Sequence, residues 1–139
     1  MKAAMPAADR LRAIPLFAGL SDDALERVAE IATEVEQPAG IALARADDPG
    51  SGMFVIEEGT VVVEARGRTV ELGPGEFFGE LALLVPEATR VARVRAKTPV
   101  RCLAVSRADF ASLLETEPRI ALAMLPVLAR RLADVMQNG

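Results

Sequence analysis

From Val35 to Arg107 the sequence is cut into short apolar runs by closely spaced turn signals. These are Pro38-Ala39-Gly40, Asp47-Asp48-Pro49-Gly50-Ser51-Gly52, Glu58-Gly59, Arg66-Gly67 and Gly73-Pro74-Gly75. Runs of that length and spacing fit strands of an all-β barrel or sandwich, and a jelly roll is the form expected. Asp47 and Asp48 lie beside glycines, but a third spaced carboxylate and a closing Glu are missing. The stretch therefore reads as a solvated turn and not as a calcium loop.

Helical patterns flank this central region. The segment Leu11–Leu20 carries a short apolar plug, Ile14-Pro15-Leu16-Phe17. Ser21 then offers an N-cap, with Asp22 and Asp23 in the first turn, where they suit the helix dipole. A helix to about Thr33 is expected, with Leu25, Val28, Ala29 and Ala32 on one face. Ser106 with Asp109 makes a capping-box pattern before Phe110, Leu113 and Leu114, and Pro118 suits the first turn of a last helix. In that helix Leu125, Leu128, Leu132 and Val135 fall at coiled-coil spacing. Two heptads fit a homodimer seam and a helix covering the barrel equally well. Pro126 lies inside it and should kink or divide it.

The fold class is thus mainly β with flanking helices: a β jelly roll (double-stranded β-helix) with N-terminal and C-terminal helices. At 139 residues the chain has the size of one domain, 1–139. Its parts are an N-terminal helical segment over 1–34, the jelly roll over 35–106 and C-terminal helices over 107–139.

Composition removes several functions. Acidic residues outnumber basic ones 20 to 16, Tyr and Trp are absent and only five Phe are present, which argues against a nucleic-acid surface. With one cysteine and no histidine, an internal disulfide, a thiolate zinc site, a multi-cysteine iron–sulfur cluster and a histidine-ligated haem are excluded by counting. No metal is expected. Cys102, inside the apolar run Val100–Val105, reads as a small core hydrophobe. Charges at Asp9, Arg10 and Arg12 interrupt the N-terminus, so neither a signal peptide nor a membrane span is expected, and the cytoplasm is the expected location. No nucleophile–base pair is visible, so the chain reads as a non-enzyme.

The stretch 77–96 carries the chemistry. Phe77-Phe78 suits a buried strand, Gly79 frees the backbone from Cβ sterics, and Glu80-Leu81-Ala82-Leu83-Leu84 are good helix formers. Strand, turn and short helix in that order present unpaired N–H groups and a positive dipole end to an anion. If 90–96 is a strand, Arg90, Ala92, Val94 and Ala96 share one face and Val91, Arg93 and Arg95 the other. A guanidinium on the apolar face needs an anion, and its planar fork fits two oxygens of one phosphate. The Glu80 carboxylate could hold a sugar hydroxyl. The alternative is a surface ion pair between Glu80 and Arg90 that binds nothing.

The run Phe78-Gly79-Glu80-Leu81-Ala82-Leu83-Leu84 with Arg90-Val91-Ala92-Arg93-Val94 resembles the phosphate-binding cassette of the cyclic nucleotide-binding domain. This is the module of the bacterial cyclic-AMP receptor proteins, kinase regulatory subunits and cyclic-nucleotide-gated channels. The opening run Ile14-Pro15-Leu16-Phe17-Ala18-Gly19-Leu20-Ser21-Asp22 resembles a segment common in the same family. The resemblance implies that Arg90 holds the cyclic phosphate, Glu80 the ribose 2′-hydroxyl, and the backbone of Gly79, Leu81 and Ala82 the rest of the cradle. Phe78, Val91 and Ala92 complete the site. Val91 departs from the usual Ser, Thr or Ala and brings no hydroxyl, so cyclic GMP should not be preferred over cyclic AMP. In the receptor proteins an Arg-Arg-Leu element leads to two hydroxyl residues that meet the adenine. Here Arg130-Arg131-Leu132 leads to Val135 and Met136, the candidate base lid. A stand-alone sensor module with a protein effector is implied. Its rivals are a scaffold of the same fold that binds no nucleotide, and a regulatory subunit whose effector lies on another chain.

Overall fold

The computed structural model describes residues 2–4, 8–44, 52–65, 67–79 and 93–138. Two antiparallel sheets form a jelly roll with helices packed on one side. The first sheet has the order β1-β2-β9-β4-β7, from Lys2–Ala4, Ala32–Gln37, Val100–Ser106, Gly52–Glu58 and Phe77–Phe78. The second has the order β3-β8-β5-β6, from Ala42–Ala44, Arg93–Ala96, Val61–Ala65 and Arg68–Leu72.

The period of two along β4, β7 and β9 explains how one sheet serves two cores. Met53, Val55, Phe77, Leu103 and Val105 point to the helices, where they meet Leu11, Phe17, Leu25, Val28, Phe110, Ile120 and Met124. Their neighbours Ile56, Phe78, Val100 and Cys102 point the other way, into a smaller core closed by Val61, Leu72, Val94 and Ala96 of the second sheet. Strands buried on both faces read as continuous apolar runs rather than as alternation.

The helices are α1 (Ala8–Leu11), α2 (Asp22–Ile31), α3 (Arg107–Thr116) and α4 (Pro118–Asn138), with a 3-10 turn at Pro15–Phe17. Ser21 Oγ accepts from Ala24 N at 3.2 Å, and Ser106 Oγ accepts from Asp109 N at 3.2 Å, so both expected caps form.

Four expectations need correction. The N-terminal segment is not purely helical, because Lys2–Ala4 pairs with Glu34–Glu36 as an edge strand. Between Leu11 and Leu20 the chain makes turns and the 3-10 turn after α1, where Pro15 favours a short turn over a helix. α2 stops at Ile31, and Ala32 already pairs with Val105, since six residues of ladder outweigh two more of helix. Finally, Pro126 does not divide the last helix, which runs from Pro118 to Asn138 as one element. Pro126 and Leu122 both lie on the exposed side, where water can satisfy the Leu122 carbonyl that proline leaves without a donor. The expected turn at Asp47 and Asp48 lies outside the described residues.

Candidate functional site

The candidate stretch lies between β7 of the first sheet and β8 of the second. β7 is the end strand of the first sheet, held to β4 by the pairs Phe54–Phe78 and Val55–Phe77. Its two aromatic residues straddle the sheet: Phe77 is buried among the helices and Phe78 in the core between the sheets. The Phe78 ring stacks on Phe54 at a centroid distance of 5.0 Å and an interplanar angle of 8°. Gly79 then leaves the strand with φ of 91°, a conformation that L side chains rarely adopt.

The chain re-enters the second sheet at β8, paired with β5 along Glu64–Arg93 to Val61–Ala96. Val94 and Ala96 are buried, while Arg93 and Arg95 face solvent and Arg95 pairs with Glu64. The expected alternation of this strand therefore holds over its described half. Glu80, Leu81, Ala82, Arg90, Val91 and Ala92 lie outside the described residues. Of the expected site residues, the structure thus places Phe78, Gly79, Val135 and Met136.

Val135 and Met136 project from the last turns of α4, 54% and 75% exposed. Arg131 of this helix reaches β7, the strand that leads into the candidate stretch. Its Nη2 donates to the Phe77 carbonyl at 2.7 Å, and its guanidinium carbon lies 4.7 Å from the centroid of the Phe77 ring. Sequence reasoning missed this residue, although a signal was present. Arg131 follows Met124, Val127 and Leu128 at helical spacing, so it sits on the apolar side of α4, where an arginine requires a partner. Arg130, one residue earlier, is exposed, and its Nε donates to Pro126 O of the same helix at 3.3 Å.

Cys102 is fully buried between the sheets. Desolvation, with a smaller contribution from the Glu57 charge, pushes its thiol up to about 12, which suits a core residue and not a reactive one. Among the described residues, no three potential metal ligands cluster. None of the helices there is long and apolar enough to cross a membrane.

Residues 34–117, from β2 through α3, match the family model of the cyclic nucleotide-binding domain, and they include the whole stretch 77–96. The chain belongs to the cyclic nucleotide-binding domain family.

Several known proteins are similar to this domain. A cyclic nucleotide-gated potassium channel of Mesorhizobium japonicum is 42% identical over 109 residues, covering 78% of this chain and 30% of the channel. Among solved structures, the catabolite activator protein of Thermus thermophilus is similar with a TM-score of 0.75 and 28% identity, over 89% of this chain and 61% of that one. A cAMP-binding acyltransferase of Mycobacterium smegmatis matches with a TM-score of 0.77 and 30% identity, over 91% of this chain and 41% of that one. The domain spans less than a third of the curated relatives named first, so their whole activities are not carried by the matched region.

Proposed function

We propose that this domain binds cyclic AMP at residues 78–92 and passes the binding event on through α4, with no catalysis of its own. The observation that carries the reading is the coincidence of motif and topology. The chain leaves the end strand at Gly79 in a positive-φ conformation and returns at β8 with Val94 and Ala96 inward, and Arg90 has the sequence parity of that inward pair. In this reading Arg90 grips the cyclic phosphate and Glu80 accepts from the ribose 2′-hydroxyl. Backbone groups of Gly79, Leu81, Ala82 and Val91 donate to the phosphate, with Ala92 leaving room beside them and Phe78 anchoring the cradle from below. The choice of cyclic AMP rests on the printed names of similar proteins, among them the cAMP-binding acyltransferase, and on Val91, which offers the guanine amino group no acceptor.

Val135 stands four residues beyond Arg131 on α4, and in this reading it covers a base held near Phe77–Gly79. A valine and a flexible methionine cover a purine face without bonding to its edge. The exposed stripe Leu122, Leu125, Ala129 and Leu132 keeps three-four spacing and favours a homodimer along α4. It differs from the seam expected from sequence, since Leu128 turns inward against the core.

Calorimetric titration with cyclic AMP and cyclic GMP tests the reading. Cyclic AMP should bind at least as tightly as cyclic GMP, and Arg90→Ala should weaken it by about 2–4 kcal/mol, as for loss of a buried charge-assisted contact. No heat with millimolar nucleotide, or an Arg90→Ala variant that binds like the parent, would leave the domain an interaction scaffold of the same fold.

A further inference from the structure

We infer that Val70 sets the base selectivity of the nucleotide site, and that with a valine there the site grips the cyclic ribose phosphate without reading the edge of the base. The inference rests on the site proposed above and names the class of ligand it admits, cyclic nucleotides of purines and pyrimidines alike.

Val70 lies on β6 opposite Val63 of β5, which in turn lies opposite Val94 of β8. Residues opposite each other in a ladder share a face of the sheet. Val94 is buried in the core between the sheets, so all three side chains belong to the inner face. The next row on that face is Ala96, Val61 and Leu72, and it is closed: Ala96 and Val61 are buried and Leu72 is only 8% exposed. Val70 faces the same way yet is 52% exposed. Its place on an edge strand does not account for this, because Leu72 stands on the same strand. The inner face therefore opens at the row of Val94, Val63 and Val70.

That row adjoins the candidate stretch. Val94 is the first inward residue of β8 after residues 80–92. β6 lies two strand spacings from β8, roughly 10 Å, so a nucleotide whose phosphate is held by residues 78–92 meets Val70 with its base. Valine has neither donor nor acceptor, and the same holds for Val63 and Phe54, which are half-buried and packed against the same core. Arg68, the next residue of β6 on this face, is exposed at the hairpin end and offers donors only. An apolar wall contributes in proportion to the area it covers, so purines should bind only about tenfold more tightly than the smaller pyrimidines. A site that hydrogen-bonds a substrate group instead rejects analogues lacking it by about 10⁴-fold.

Calorimetric titration of the full chain with cyclic AMP, cyclic GMP, cyclic CMP and cyclic UMP tests this, together with Val70→Phe, Val70→Thr and, as control, Thr69→Phe. Thr69 and Val70 are adjacent and both exposed on β6, with side chains on opposite faces, so the two phenylalanine variants differ only in which face the ring fills. The four nucleotides should bind the parent within about tenfold of one another. Val70→Phe should weaken the purine nucleotides at least about tenfold, and Thr69→Phe should match the parent. Val70→Thr, which keeps the shape and adds a hydroxyl, should spread the four affinities further apart. Thermal melts of the variants establish that each is folded before its affinities are compared. A preference of the parent for one base by more than about a hundredfold overturns the absence of an edge reader. Parent-like binding by Val70→Phe, or an unchanged spread in Val70→Thr, overturns the placement of Val70. A parent that binds none of the four overturns the proposed site, and the inference falls with it.

Discussion

Arg10 and Arg12 sit within one turn of each other and are exposed to a similar degree, 40% and 49%, yet replacing each with Met should have very different effects. Arg12 pairs with Asp9 and Asp22, whose side chains are 96% and 87% exposed. Arg10 pairs with Glu34 and Glu57, which are only 11% and 6% exposed. Its Nε and Nη2 donate to the two Glu57 oxygens at 3.1 and 3.0 Å, and Nη2 also donates to Glu34. Hydrogen bonds to Glu57 and then Glu34 raise the Arg10 pKa above its already high ordinary value, so the guanidinium stays charged at any pH at which the protein is folded.

Removing Arg10 leaves two nearly buried carboxylates facing Arg101 alone, whose Nε lies 3.7 Å from Glu34 and 3.6 Å from Glu57 and makes no hydrogen bond among the described residues. Breaking a buried pair from one side costs about 3–5 kcal/mol, and the Arg101 charge brings this down to roughly 2–4 kcal/mol. Loss of the Arg12 pairs should cost less than about 1 kcal/mol, because both charges are hydrated before and after. With an unfolding entropy of about 2.1 cal/mol/K per residue, Arg10→Met should lower Tm by about 7–14 °C and Arg12→Met by less than about 3 °C. Thermal and urea unfolding at pH 7 measure both. High salt should erase the small Arg12 effect and leave most of the Arg10 effect, since buried pairs are screened little. Equal losses for the two variants within about 0.5 kcal/mol would refute the argument that carboxylate burial, and not the ion-pair count, sets the cost.

Cys102 should resist thiol reagents in the folded domain and react only at the rate of opening. With its pKa pushed up to about 12 in the folded state, against about 8.5 for a free thiol, its contribution to stability is intact below the free value and is lost as pH rises through the folded one. The parent should therefore lose stability more steeply than Cys102→Ala on the alkaline side, as measured by urea midpoints at stepped pH. Parallel curves would show that the thiol is not desolvated. Truncation after Leu128 keeps every buried residue of α4 but removes Arg131, Leu132, Val135 and Met136. It should leave a folded barrel that binds cyclic AMP about ten- to a hundredfold more weakly and sediments as a monomer. Unchanged affinity would show that this tail does not cover the site.

Much of this domain is written in local chemistry. Turn residues set the strand lengths. Ser21 and Ser106 cap their helices because each carries its oxygen three residues before the amide it accepts from, and the alternation of Arg93, Val94, Arg95 and Ala96 follows from the pleat of one strand. The family motif is equally local, since it is a run of adjacent residues whose order is its meaning.

What the sequence could not decide depends on contacts between residues far apart in the chain. Glu57 shares the helix-side face of β4 with Val55, and there Arg10 meets it forty-seven residues away in the chain. In isolation, Glu57-Glu58-Gly59 reads only as a turn. Lys2–Ala4 becomes a strand because β2 offers it an edge, and Ala32 leaves its helix because β9 is there to pair with. The heptad of α4 could be read in two registers until the core took Leu128 inward and left Leu122 and Met136 outside. Arg131 was visible as an arginine on an apolar face, but its partner, the Phe77 carbonyl, becomes free only when β7 takes the end position in its sheet. Strand order is a property of the whole fold, which no local pattern encodes.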